Sequence, residues 1–450
     1  MRQPPPNQTV QTKNSQTGPH ICIVGGGFGG LYTALYLQKY RHLRNSRITL
    51  IEPRDHFLFT PMMYELITDE LKVWEIAPTY SSLLMGTHII WHQTHAETVD
   101  LQQQIVTVTS GQSLSYDYLV VARGADSRPV DIPGVHEYAL NFRTLQDALA
   151  LKARLAQLVS AQAIQAGNGH IRPIYVTVIG GGASGVELAG KVADYLAHYR
   201  SHHTHHHPTD DSNTGHGKAS FFHSDADVSA QITLVERGPT ILKPFAKGLR
   251  RLGQKALAKR HIRILTETSV VSVEAESVTV QQGNQQQTLA SHLTLWAVGT
   301  QPRPWLGQQT VAHNHQGQRL TRRSLQLIDY DNVFVLGDAA EVRDKRQQLA
   351  PNTAQAAFQA ASRVAANLAA MTQGNKPRPF NYLHLGDMIT LGIGDAGLWS
   401  FGIVLGGKLA ALCRRGVYIF RMPTHRHQRK VARRALSMLL PRFAGNLSRS

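Results

Sequence analysis

One glycine-rich turn, read twice along the chain, constrains the fold more than any other feature. From His20 the sequence runs HICIVGGGFGGLYTALYLQKY, where Ile21, Ile23 and Val24 make a short buried strand, glycines follow at once, and Leu31, Leu35 and Leu37 open a helix. Gly25, Gly27 and Gly30 fit G-x-G-x-x-G: one glycine for the tight turn, one for close approach to a pyrophosphate, one for helix–strand packing. A second strand, Ile48 to Ile51, ends in Glu52, 22 residues after Gly30, where a carboxylate can accept from ribose hydroxyls. Glycines alone would fit a simple tight turn. Strand, glycines, helix, strand and acid in register argue for a dinucleotide site.

The same grammar returns at Ile174 to Gly190, IYVTVIGGGASGVELAG, with Gly180, Gly182 and Gly185 as the glycines, a helix opening over Val186 to Ala193, and a strand Ile232 to Val235 ending in Glu236. Here the acid follows the last glycine by 51 residues, an excess of 29 over the first copy. Residues 198–226, a polar stretch with eight histidines, account for the excess as a loop inserted between helix and strand. Imidazole is a common metal ligand, but nothing in such a loop fixes a coordination geometry, so no metal site is assigned.

Two fingerprints imply two dinucleotides and therefore two nucleotide-binding folds, which a chain of 450 residues is long enough to build. Tyr116 to Asp126 (YDYLVVARGAD), breaking at Gly124 after Arg123, and Leu293 to Pro304 (LTLWAVGTQPRP), ending at Gly299, read as crossover strands that take the chain out of the first domain and back into it. The second domain is then an insertion in the first. Asn332 to Ala340 (NVFVLGDAA) is a strand, a turn at Gly337, and Asp338 at a helix start, where an N-cap would also suit an aspartate.

Charge and cysteine content narrow the partners. The 47 Lys and Arg exceed the 30 Asp and Glu, but eleven of them lie between Ser400 and Ser450, a stretch without any acid, which leaves 36 against 30, or +6, on the rest. A nearly neutral body with a basic, apolar tail points to an anionic membrane surface and away from nucleic acid. The apolar run Phe401 to Cys413 includes Lys408 and falls short of the roughly 20 residues of a spanning helix. Over Gln428 to Leu440, Val431, Ala435, Leu436, Met438 and Leu439 gather on one side of a helix and Arg429, Lys430, Arg433 and Arg434 spread around the rest. Met1 to Pro19 lacks the apolar core of a secretory signal and reads as a disordered leader. The only cysteines, Cys22 and Cys413, do not form a CxxC pair.

Taken in order, Gly25–Gly30 with Glu52, Gly180–Gly185 with Glu236, Trp296–Gly299 and Gly337-Asp338 resemble the flavoproteins with two dinucleotide-binding domains. The resemblance implies an α/β fold of two Rossmann-like domains, FAD on the N-terminal fingerprint with Asp338 at its ribityl–phosphate region, and NAD(P)H as co-substrate on the inserted domain. Members with a catalytic disulfide carry a cysteine pair beside the flavin, so disulfide reductase and sulfide:quinone chemistry are unlike this chain. Ala354 to Gln359 (AQAAFQ) resembles the AQxAxQ helix of type II NAD(P)H:quinone oxidoreductases, and FLFTPMMYELITDELKVWEIAP (Phe57–Pro78), NFRTLQDALALK (Asn141–Lys152) and VYIFRMPTHRHQ (Val417–Gln428) are similar to the demethylphylloquinone reductase branch of cyanobacteria and plastids. A departure is Arg123, where many relatives have a small residue before the glycine.

The resemblance implies hydride transfer from NAD(P)H through FAD to a membrane quinone of the naphthoquinone type, without proton pumping, in a peripheral protein on the cytoplasmic face of a thylakoid or plasma membrane. Cofactor contacts are expected at Gly25, Gly27, Gly30, Glu52, Arg123, Gly124, Gly337 and Asp338 for FAD, and at Gly180, Gly182, Gly185, Glu236 and Gly299 for the nicotinamide dinucleotide. Glu236 would favour NADH, yet Arg237 beside it can accept a 2′-phosphate. Glu187 is the candidate for orienting nicotinamide or routing a proton, a solvated glutamate at a helix start being the alternative, and Gln355 and Gln359, one helical turn apart, are candidates for the quinone carbonyls. The expected divisions are a leader 1–19, FAD-binding segments 20–140 and 296–380, an NAD(P)H domain 141–295 with the insertion 198–226, and an amphipathic membrane-binding region 381–450, in a chain open to homodimer assembly. A respiratory-type quinone reductase, a soluble flavin reductase with a protein acceptor, and a flavin-binding protein without turnover remain alternatives at this point.

Overall fold

The computed structural model describes residues 18–167, 172–203 and 229–447. Residues 1–17 of the expected leader and 204–226 of the histidine-rich insertion lie outside them. Residues 198–203 continue the helix Ala183–His203, so these first six residues of the expected loop are helical.

The described residues form two compact units. One comprises the chain up to Asp55, Leu84–Ala125 and Pro302–Tyr382; the other comprises His56–Leu83, Asp126–Gln301 and the chain from Leu383. The chain thus leaves the first unit after Ala125 and re-enters it at Pro302, inside the two segments read as crossovers. The sequence carried no sign that His56–Leu83 belongs with the second unit.

The first unit is built on five parallel strands in the order Val333–Val335, Tyr118–Val121, His20–Val24, Arg47–Ile51, Ile89–His92. The second repeats the scheme: Arg263–Leu265, Ala230–Val235, Ile174–Ile179, Leu293–Trp296, Ala139–Asn141. In both, the fingerprint strand is central and the strand order reverses beside it, which opens a crevice at the carboxyl ends of the strands. Continuous apolar runs suit such strands because helices cover both faces; Ile21, Ile23, Leu119 and Val120 are fully buried in one unit, Val178, Leu234 and Leu295 in the other.

In the first unit, the helix Phe28–Leu37 that follows the glycines packs on the helix Ala354–Met371. Ala356, Ala357, Ala360 and Ala361 are buried and let the two backbones approach, while Phe358 meets the rings of Tyr32 and Tyr36 edge-on at 4.8 and 5.6 Å. In the second unit, the helix Ala183–His203 is covered by an antiparallel sheet of Asp387–Gly392, Asp395–Ser400 and Ile403–Gly406. The guanidinium of Arg260 clamps Asp194 of that helix at 2.7 and 2.9 Å and reaches Asp395 at 3.5 Å. The sheet of Asp387–Gly406 is therefore packed structure of the second unit. No helix among the described residues is long and apolar enough to cross a membrane.

Gly190 marks the closest approach of helix and sheet, since a Cβ there would stand 2.7 Å from the Leu391 carbonyl oxygen. Gly190→Leu should lower stability by about 1–3 kcal/mol through overpacking and speed amide exchange in Asp387–Gly392. An unchanged melting temperature and exchange pattern would show that the sheet does not press on this helix.

Candidate functional site: two nucleotide cradles and a buried carboxyl

The two fingerprints build the same object. Gly25 and Gly180 adopt φ of +100° and +108°, a region that favours glycine, and turn the chain from strand to helix. Their amides donate to Ile51 O at 2.9 Å and Val235 O at 2.8 Å, tying each turn to the neighbouring strand. Gly30 and Gly185 hold helix to turn: a Cβ on either would lie 1.7 or 1.8 Å from the carbonyl oxygen of Gly25 or Gly180. Gly27 and Gly182 are the opposite case, with nothing within 4 Å of the Cβ position. That open space lies at the start of a helix, where unpaired amides and the helix dipole suit a pyrophosphate. The helix after Gly27 has no acid in its first turn and no side-chain cap. Both cradles thus fit a dinucleotide.

The acids at the strand ends occupy equivalent places. Glu52 Oε2 accepts from the Gly26 amide and Glu236 Oε2 from the Gly181 amide, each at 2.6 Å. Burial alone would raise the Glu52 carboxyl, but Arg54, bonded to both of its oxygens at 2.8 and 3.0 Å, and the Gly26 amide hold it below the usual carboxylate range. Glu236 also accepts from the Gly238 amide at 2.5 Å, and Arg237 beside it is exposed.

The remaining first-unit residues surround the crossover loops. Gly124 and Gly337 have φ of +71° and +69°. Arg123 donates through Nη1 to Pro304 O at 2.6 Å, so it braces the returning chain. Asp338 lies inside a one-turn 3-10 helix, Gly337–Ala339, whose N-cap is Leu336, which removes the N-cap explanation for this aspartate. Thr353 caps the helix Ala354–Met371 by accepting from the Ala356 amide at 3.2 Å. Gln355 and Gln359 are half-buried on that helix, and Tyr382, unassigned from sequence, donates to Gln355 Oε1 at 3.1 Å. In the second unit, Gly299 has φ of +74° and accepts from the Arg128 amide at 3.3 Å.

Glu187 is not a solvated helix-start residue. It is 6% exposed, and its Oε1 accepts from the Thr390 amide at 2.8 Å and stands 3.7 Å from Arg414 Nη2. The Tyr64 hydroxyl lies close enough to act on it electrostatically. Burial pushes its carboxyl up to about 7, with the Arg414 charge and the Thr390 amide opposing and the Glu65 charge assisting. Glu65, bonded to Arg414, is held below the carboxylate range despite its burial. Tyr64 and Glu65 lie in the Phe57–Pro78 stretch and Thr390 and Arg414 in no motif, and only the shared surroundings of Glu187 give the four a part at this site.

These features define a class: an oxidoreductase carrying two dinucleotides in a chain without a thiol pair. The comparisons agree. The pyridine nucleotide-disulphide oxidoreductase family matches residues 19–361. The chain is 38% identical to the demethylphylloquinone reductase NdbB of Synechocystis, over 91% of this chain and 94% of that protein. It is 30% identical to the alternative NAD(P)H-ubiquinone oxidoreductase C1, chloroplastic/mitochondrial, of Arabidopsis thaliana, over 92% of this chain and 79% of that one. Among solved structures, NDH2 of Plasmodium falciparum shares the fold with a TM-score of 0.77 at 18% identity, covering 92% of this chain and 96% of its own. The chain belongs to the type II NAD(P)H:quinone oxidoreductases within the pyridine nucleotide-disulphide oxidoreductase family. The expected cofactor pair, FAD with NAD(P)H as co-substrate, stands with that membership.

The two kinds of glycine separate binding from folding. Gly27→Val should give a folded protein without FAD absorbance, because the new side chain fills space that only the cofactor would use. Gly30→Ala should fail to accumulate as folded protein, because its methyl meets backbone at 1.7 Å. A yellow, fully loaded Gly27→Val variant would remove FAD from the N-terminal cradle.

Proposed function

We propose that this enzyme reduces a membrane naphthoquinone, a demethylated phylloquinone precursor, with NADH or NADPH. The observation that carries the reading is the pair of equivalent cradles in a chain whose two cysteines are both free, Cys22 buried in a strand with its thiol pushed up to about 12, and Cys413 at the surface. Such cysteines supply no thiol relay, which leaves a direct flavin-to-acceptor reaction. The identity to demethylphylloquinone reductase over nearly the whole chain supports the choice of quinone.

FAD bound in the first cradle would supply the redox chemistry between NAD(P)H and the quinone. Gly25, Gly27 and Gly30 would hold its pyrophosphate at the helix start, Glu52 its ribose, and Asp338 with Gly337 the ribityl–phosphate region; Arg123 and Gly124 shape the adjoining loop. Gly180, Gly182, Gly185, Glu236 and Gly299 do the same for NAD(P)H, and exposed Arg237 accommodates a 2′-phosphate. Gln355 and Gln359 donate to the quinone carbonyls, with Tyr382 fixing Gln355. Glu187 holds and releases a proton, which its position near neutrality suits.

The acceptor side is a membrane surface. Phe420, Phe401 and Ile403 are 77%, 71% and 69% exposed, and Leu409, Leu412 and Leu436 are also exposed, among Lys408, Arg426 and Arg429. Apolar side chains so displayed next to cations suit the boundary of an anionic bilayer. Likeness to the type II NAD(P)H:quinone oxidoreductases supports reading the reaction as confined to one face, without proton pumping.

Purified protein should show a flavin spectrum and oxidise NADH or NADPH with short-chain naphthoquinones faster than with ubiquinone or ferricyanide. Gln355→Ala with Gln359→Ala should raise the quinone KM about tenfold or more, equivalent to ~1.4 kcal/mol of lost hydrogen bonding, while NADH:ferricyanide turnover persists. Equal loss of both activities would take the glutamines out of quinone binding. Phe401→Asp with Phe420→Asp should release the protein from anionic liposomes and spare ferricyanide turnover; liposome binding unchanged by the pair would place the membrane contact elsewhere.

A further inference from the structure

The second unit buries more charge than its nucleotide cradle requires, and the burial has a stoichiometry. Lys191, at 1% exposure, pairs with Glu70, and Arg414, at 4%, pairs with Glu65. Two cations thus meet two carboxylates, Glu70 being the partly exposed one, and Glu187 is a third carboxyl whose nearest cation, Arg414, is already paired with Glu65. Arg414 spends its hydrogen bonds elsewhere: Nη1 donates to Glu65 and Nη2 to Pro61 O at 2.5 Å. What reaches Glu187 is the charge of that guanidinium across 3.7 Å. With Glu187 protonated the cluster is neutral; with Glu187 ionised it carries one uncompensated negative charge away from water, which is costly.

Three separate stretches converge here. Glu65, Tyr64 and Pro61 come from the short helix Thr60–Leu66, Glu187 and Lys191 from the helix Ala183–His203, and Arg414 and Tyr418 from the helix Gly407–Arg421. Thr390 of the covering sheet adds one amide. The charged and titratable groups facing Glu187 are Arg414, Glu65, Tyr64 and Tyr418, with Lys191 acting on Glu65.

We propose that Arg414 and Glu65 form a positioning pair for Glu187: Glu65 fixes how near the guanidinium stands, and that distance decides how readily Glu187 gives up its proton during turnover. This rests on the proton role of Glu187 argued above and assigns to the helix Gly407–Arg421 a part in the reaction besides surface docking. Neither residue needs to touch quinone or cofactor.

The pair makes opposite demands that packing alone does not. Removing the cation while keeping its bulk, Arg414→Met, leaves Glu187 facing only another carboxylate, so the pH midpoint that Glu187 imposes on quinone reduction should rise by about one pH unit or more. Removing the competing carboxylate, Glu65→Gln, leaves Arg414 to Glu187 alone, so the midpoint should fall. The double variant takes out both charges, avoids a buried unpaired ion, and should lie between the two; it serves with Glu65→Gln if Arg414→Met alone does not fold. Infrared difference spectra of the protonated carboxyl, followed against pH, read the same shifts without turnover. Glu187→Gln is the reference, and should abolish both the pH limb and the infrared band. If the limb and band survive in Glu187→Gln, the reading of Glu187 fails. If they vanish there, but Arg414→Met and Glu65→Gln move the midpoint in one direction or leave it in place, the positioning pair is overturned.

Discussion

Each cradle hangs on one contact between backbone and backbone, the third glycine of a fingerprint lying against the carbonyl of the first. A Cβ at Gly30 or Gly185 would sit 1.7 or 1.8 Å from that oxygen, so no other residue lets the helix start so close to the strand. Much follows from this proximity. It aims the first amides of the helix at the crevice beside the central strand, brings the acid of the next strand to the Gly26 or Gly181 amide, and leaves the second glycine facing open space. A pyrophosphate is bound by what the turn exposes, and the turn exposes it because the chain is pressed together one step away.

The second unit has a further constraint, the handling of buried charge. Glu65, Arg414 and Lys191 are each less than a tenth exposed, and each is matched by a partner from a distant part of the sequence. Breaking such a pair by removing one member costs about 3–5 kcal/mol, because the survivor stays buried. The pairs therefore bind the segment His56–Leu83 and the C-terminal helices into the second unit more specifically than apolar contact would. They also leave Glu187 without a dedicated cation, and burial pushes its carboxyl up to about 7. The same buried pairs that tie the segments together set the surroundings of this carboxyl.

What was legible in the sequence is what repeats locally. Gly25 to Glu52 and Gly180 to Glu236 announce themselves by spacing, and the strands between them by apolar runs, since both depend on neighbours within one supersecondary unit. Glu187 could be named because it follows Gly185 on the same helix, but its burial could not, because Thr390 and Arg414 lie 203 and 227 residues away. The same limit hid His56–Leu83, whose partners in the second unit include Arg414 and Arg434. Tyr382 was invisible for a related reason: its hydroxyl has meaning only beside Gln355.

The last helix, His425–Leu447, shows how a pattern can be right in outline and wrong in its facing. Helical spacing put Val431 with Leu436 and Met438 on one apolar side, yet Val431 is fully buried while Leu436 and Met438 are exposed. The inward side is set by other bonds: His427 to Glu75 O at 2.8 Å, Arg434 to the Glu75 carboxylate, and Lys430 over the Trp74 ring at 4.4 Å. Of the eleven cations after Ser400, Arg414 and Arg434 are thus engaged by internal carboxylates, which leaves at most nine for an anionic surface. At roughly 1 kcal/mol for each cation near such a surface, the proposed attraction would remain large, but it would act through a helix held to the second unit on its other side. The cations of this helix and its bonds to Glu75 are mechanically one piece, so cutting the helix away would strand the buried Glu75 carboxylate as well as remove those cations.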